Sequence, residues 1–225
     1  MAFALVQTAH ANAISGTVTI PASTIGNLGF LASSIGGSSA PASPTGGGTW
    51  QLVGDQHDAG NSQNVDCYWV VFSSSVTTLT LSGGSPDAAA AVAYCEFSGA
   101  TASPLDVKDA TKAFTTATTA TDNASSSNIT PAGSGELIVV GYGDTGGNQA
   151  SIAAGTGFTT GVAEIGAAGT GAAAICWKTG GAGSQNGTFT VGTGAHNYTC
   201  QIAAFLSAVT AAPPNFQPSR MPLGV

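Results

Sequence analysis

The stretch ELIVVGYGDTGG, Glu136 to Gly147, admits two folds. Gly141, Gly143 and Gly146 follow an apolar run at the G-x-G-x-x-G spacing that opens a dinucleotide-binding βαβ unit. The same residues also read as a β-strand ending in a glycine-rich turn. The residues downstream decide between the two. GNQASIAAGTGFTTG is interrupted by Gly155 and Gly157 and carries no amphipathic helix whose N-terminus could face a pyrophosphate. Glu164 stands near the distance of a ribose-binding acid, but no parallel strand–helix–strand context surrounds it. The sequence therefore predicts a strand and a turn.

Working outward, the same kind of segment recurs at intervals of about ten residues, bounded by Gly, Ser, Pro and Asn clusters. SGTVTIP alternates Val18 and Ile20 with Thr17 and Thr19, TLTLSGG places Leu79 and Leu81 on one side, and GTFTVGTG does so with Phe189 and Val191. Period-2 alternation of aliphatics with threonine describes half-buried strands. Further strands are expected near 3–8, 26–33, 49–53, 65–73, 88–97, 172–178 and 198–208, and the opening stretch is expected to be a strand over 136–142 that ends in the turn. IGGSSAPASPTGGG, 35–48, reads as a surface loop, and TTATTATDNASSS, about 115–127, as a polar spacer.

On either side of that spacer the chain repeats a plan in order. Cys67 with Trp69 answers Cys176 with Trp177, Leu79 and Leu81 answer Phe189 and Val191, and Phe97 answers Phe205. The counterpart of the opening stretch is NLGFLASSIGG, which keeps the strand and loses the glycine fingerprint. The fold class expected is all-β: an antiparallel β-sandwich of jelly-roll type with two pseudo-repeated halves. The domain spans 1–210, its halves about 1–114 and 128–210, followed by a proline-rich arm, 211–225.

Composition narrows the function. Charged residues are 7% of 225, against roughly 25% in an average soluble protein. Lys108, Lys112, Lys178 and Arg220 are the fixed cations against eleven carboxylates, too few to neutralise a run of phosphates. No nucleic-acid partner is expected. Anionic lipid offers no attraction either, and no apolar run approaches the ~20 residues of a spanning helix, so no membrane partner is expected. The N-terminus, MAFALVQTAHANA, lacks a basic region and a long apolar stretch, which predicts no Sec export and synthesis in a cytoplasm.

Catalytic motifs are missing. AGSGE does not meet the nucleophile-elbow spacing, so the chain is expected not to be an enzyme; a hydrolase on this scaffold would need some pair among His57, Asp58 and Glu96. The densest polar cluster, GDQHDAGNSQNVD, offers Asp55, His57, Asp58 and Asp66 in what reads as one loop, where a structural calcium ion would find oxygen ligands. Its spacing matches neither an EF-hand nor a zinc pattern, so no metal site is assigned. Cys67, Cys95, Cys176 and Cys200 lie two in each half and form no C-x-x-C pair. Bridges Cys67–Cys95 and Cys176–Cys200 are one reading; buried reduced thiols are the other, favoured by cytoplasmic synthesis. Trp50, Trp69 and Trp177 offer platforms for a sugar ring, although the matched places of Trp69 and Trp177 favour a core role.

AYCEFSGATASPLDVKDATKA, 93–113, with GELIVVGYG, GFTTG and the closing CQIAAFLSA, resembles glycine- and threonine-rich β-sandwich structural proteins of tailed phages and prophages. The resemblance covers most of 15–208. It implies a virion component, a capsid decoration or fibre-like protein whose partners are copies of itself and other virion proteins of capsid or tail, and it transfers no catalytic residue. The tail, TAAPPNFQPSRMPLGV, has four prolines and no periodicity, so Phe216, Arg220, Met221 and Leu223 are expected to bind a neighbouring subunit. The alternative function is a carbohydrate-binding or adhesive module with a glycan ligand.

Overall fold

The computed structural model describes residues 2–12, 17–36, 43–58, 60, 63–82, 90–109, 111, 113–117, 121–145, 149–165, 171–192 and 196–208. Among them there is no helix. The strands of the first part are β1 (Ala4–Asn12), β2 (Thr17–Thr19), β3 (Leu28–Gly36), β4 (Ser43–Thr45), β5 (Gln51–Asp58), β6 (Gln63–Val71), β7 (Thr78–Ser82) and β8 (Ala90–Ser98). Then come β9 (Ala100–Asp109), β10 (Thr115–Ala117), β11 (Thr121–Ser125), β12 (Glu136–Thr145), β13 (Ser151–Ala154), β14 (Thr159–Ile165), β15 (Ala172–Gly180), β16 (Thr188–Gly192) and β17 (His196–Ser207).

They form four antiparallel sheets. Two are large, β1-β8-β3-β6-β5 and β10-β17-β12-β15-β14, the second with β9 also paired to β17. Two are small, β2-β7-β4 and β11-β16-β13. The large sheets face one another, with β1 over β14, β3 over β12 and β15, and β5 over β17 and β9. Between them lies a core that includes Phe30, Phe97, Leu137, Ile175 and Phe205. Each such side chain contributes about 1.5–3 kcal/mol by leaving water. Each small sheet covers the outer side of one large sheet. Val18, Leu79 and Leu81 pack on Leu31, Val70 and Tyr94; Phe189, Val191 and Ile152 pack on Val140, Tyr142 and Ile202.

The small sheets realise the period-2 alternation of the sequence. Val18 and Leu79 are fully buried, while Thr17 and Thr19 pair across strands with Thr80 and Thr78 on the exposed face. The large sheets are covered on both faces, so β3, β6, β8, β12, β15 and β17 read as nearly continuous apolar runs.

The opening stretch is a central strand. β12 runs antiparallel between β15 and β17 through both glycines to Thr145, so no turn follows Tyr142 as the sequence suggested. Gly141 and Gly143 point at the other large sheet: a Cβ at Gly141 would lie within contact distance of Cys67 Sγ and 3.1 Å from Ala32 Cβ, and one at Gly143 would lie 2.6 Å from the Val65 methyls. Missing side chains let two sheets approach; they do not cradle a phosphate. Three further expectations need correction. The polar spacer contains β10 and β11, the 35–48 loop contains β4, and the acidic loop is largely the paired strands β5 and β6. Threonines and a charged hairpin still satisfy their backbone groups by lateral pairing. Residues 211–225, with Phe216, Arg220, Met221 and Leu223, lie outside the described residues.

Candidate functional site

The β5–β6 hairpin divides the predicted ligand set between two faces. Asp55 stands opposite Asp66 and His57 opposite Asn64 in the antiparallel register, on the face toward the first small sheet. The next residue, Asp58, points to the other face, where its Oδ2 accepts from Asn197 Nδ2 at 2.7 Å and its Oδ1 from the Gly60 amide at 3.0 Å. His57 Nδ1 lies 2.6 Å from Asn64 Oδ1. Alternating strand geometry separates what a loop would have gathered. Among the described residues no group of three or more His, Cys, Asp or Glu side chains is placed to hold a metal ion.

The carboxylates Asp55 and Asp66 act on a phenol instead. The Tyr68 hydroxyl is pushed above its ordinary range first by burial and then by the negative charges of Asp66 and Asp55, against the lowering effect of the Ser43 hydroxyl.

Glu96 belongs to a separate cluster. It is fully buried on β8 and accepts from the Thr24 amide at 3.0 Å, Asn27 Nδ2 at 2.6 Å, Tyr94 Oη at 3.2 Å and Gln7 Nε2. Four donors compensate a carboxylate that has left water and fasten the 21–27 connection to β1 and β8. Asp144 on β12 is built alike, accepting from Tyr142 Oη at 2.8 Å and the Ala172 amide at 2.6 Å. Both pairs place a tyrosine two residues before the acid, hence on the same strand face, and both tyrosines are pushed far above their ordinary range by burial and then by that acid. His57, Asp58 and Glu96, the residues a hydrolase would have needed, thus sit in three different hydrogen-bonding groups.

The sequence singled out neither of two further acidic contacts. Glu136 is buried beside Asp106; burial raises its carboxyl pKa first, the Gly133 amide lowers it, and Asp106 raises it again. His10 on β1 pairs with Glu164 on β14, joining exposed edges of the two large sheets. Cys67, Cys95, Cys176 and Cys200 are all buried, with no disulfide among them. Burial is the main cause that raises Cys67, Cys95 and Cys176.

One concave feature among the described residues is a groove of about 400 Å³ along the edge where β5 and β6 meet β9. Thr49, Gln51, Trp69, Val71 and Ser73 make one wall; Ala102, Ser103 and Leu105 make the other. No lining residue is charged. Lys108 Nζ ties the strands at one end by donating to Leu52 O at 2.5 Å.

No protein family, curated protein or solved structure matches this chain.

Trp69 and Trp177 are each partly buried against the core between the large sheets. Trp69 packs edge-on against Phe205, ring centroids 5.7 Å apart, and Trp177 packs against Phe97 at 5.5 Å. Each tryptophan is half-buried and reaches a phenylalanine of the facing sheet. Trp69 lines the groove. The two walls can hold a neutral chain by an aromatic surface with hydroxyl and amide groups around it; they supply no nucleophile paired with a base.

Proposed function

We propose that this chain is a non-enzymatic structural protein of a virion, a capsid decoration or fibre-like component made in the host cytoplasm, built on a jelly-roll plan used twice. The observation that carries the reading is strand order. In the first pair of sheets the first strand neighbours the last, the third lies between the last and the sixth, and the second neighbours the seventh. On this reading the order corresponds to eight strands wound into two Greek keys, the arrangement of viral shell domains and lectins. Adding nine to every strand number of β1-β8-β3-β6-β5 and β2-β7-β4 gives β10-β17-β12-β15-β14 and β11-β16-β13. That correspondence supports two pseudo-repeated halves joined through their larger sheets.

The surface supports an assembling role. The small sheets turn threonines outward, and 7% charge leaves few solvated groups to strip when copies pack together. Partners on this reading are copies of the chain and other virion proteins of capsid or tail. Electron microscopy of particles that co-purify with the tagged full-length chain tests it. Regularly spaced added density on the particle is the expected result; a chain that sediments as a monomer and never travels with particles overturns the proposal.

A further inference from the structure

We propose that the groove beside Trp69 is the seat of the chain's own C-terminal segment, residues 209–225. The described chain ends close to the groove. β17 finishes with Ser207 opposite Ala100, and the next amide, Ala208, donates to Gly99 O at 2.7 Å. From Ala100, β9 continues directly into Ala102, Ser103 and Leu105, one wall of the groove. The segment therefore starts about three residues, or roughly 10 Å, from the groove mouth. Seventeen residues, 209 through 225, reach roughly 50 Å in a polyproline II conformation.

Pro213, Pro214, Pro218 and Pro222 remove backbone donors at four places, so the segment is poorly suited to a sheet and well suited to an extended helix rich in carbonyl acceptors. Such segments bind aromatic-lined grooves, where prolines rest on the ring and neighbouring side chains donate to carbonyls. Trp69 supplies the ring, and Thr49, Gln51 and Ser103 supply donors. Phe216, Met221 and Leu223 gain an apolar surface, while the uncharged walls leave Arg220 at the rim. A short tether holds the segment near its own groove at an effective concentration on the order of millimolar, far above the concentration of a second copy in dilute solution. The arm thus finds its surface on its own chain, where the sequence alone sent it to a neighbour. The assignment does not depend on the virion reading.

All described strands and all three cores lie within residues 2–208, so a chain ending at Ala208 retains its fold. Calorimetric titration of a synthetic 209–225 peptide into that shortened chain tests the proposal. Binding is expected, weakened about tenfold or more by Ser103→Arg, which fills the groove from an exposed position and spares the core. The full-length chain is expected to bind the peptide about tenfold more weakly than the shortened one, because its own segment competes. Three results would overturn the proposal: no binding by a shortened chain that still melts cooperatively, equal binding by both chains, or a full-length chain that self-associates with concentration until Ser103→Arg prevents it. A saccharide array bound by the full-length chain and lost in Ser103→Arg would give the groove to a glycan and equally remove the tail from it.

Discussion

Replacing Gly141 by alanine tests why the glycines of the opening stretch are there. The φ of Gly141 is not positive, so alanine is conformationally acceptable and gains about 0.5–1 kcal/mol over glycine within a strand. Against that stands the new methyl, which meets Cys67 Sγ and lies 3.1 Å from Ala32 Cβ and 3.4 Å from Phe30, all of them buried. Overpacking costs about 1–3 kcal/mol, and lies toward the upper end here because all three neighbours are buried and cannot yield, so a net loss of about 1–2 kcal/mol is expected. For a domain of this size the melting temperature then falls by about 2–8 °C. Adding Cys67→Ala removes the sulfur that the methyl strikes. In a double-mutant cycle by urea unfolding, the pair should therefore be more stable than the sum of the single changes by about 1 kcal/mol or more. Gly141→Ala within 0.5 kcal/mol of the wild type, or strictly additive single changes, would refute close sheet contact as the reason for the glycine.

Glu96→Gln keeps the shape but turns an amide N–H₂ toward donors that include Asn27 Nδ2 and Gln7 Nε2. Loss of about 2–3 kcal/mol is expected in urea unfolding, since hydrogen bonds to a charged group contribute about 1.5–3 kcal/mol. Glu136 titrates above its ordinary value of 4.5, chiefly through burial. Its folded form holds the proton more tightly than the unfolded chain, so its stabilising effect is complete below that value and is lost as pH rises through the raised one. Thermal melts across this range should show a slope that Glu136→Gln reduces, with the variant relatively more stable at neutral pH; an unchanged slope would contradict the assignment. Cysteines react through thiolates, which burial disfavours at Cys67, Cys95 and Cys176, and Cys200 is equally inaccessible to solvent. A thiol reagent should leave all four unmodified in the native protein and modify all four in denaturant, and rapid native labelling would place a thiol at the surface.

Much of the sheet architecture was legible because one face of each small-sheet strand is wet. Val18, Leu79, Phe189 and Val191 stand out against outward threonines, and that contrast marks both strand and direction. β9 was hidden for the opposite reason. Pro104 interrupts its pattern, and the structure accommodates it by irregular pairing with β17 between Leu105 and Ala100, where a missing amide is tolerated. β10 and β11 read as a spacer because TTATTATDNAS has no apolar rhythm; their pairing with β17 and β16 comes from tertiary context that local pattern does not carry.

The polar residues show the same limit in sharper form. Asp55, His57 and Asp58 are adjacent in sequence, and proximity along the chain suggested a shared ligand; a strand inverts the inference, because neighbours face opposite ways and residues two apart share a face. The rule also explains the motifs that the sequence left unmarked. Tyr94 with Glu96 and Tyr142 with Asp144 are each two residues apart, so each tyrosine donates to its own strand's buried acid inside the core that a small sheet covers. A buried carboxylate supplied with donors resists both loss of a partner and replacement by water, which makes it a poor general base and a firm fastening. The buried acids Glu96 and Asp144 therefore hold strands and connections in place.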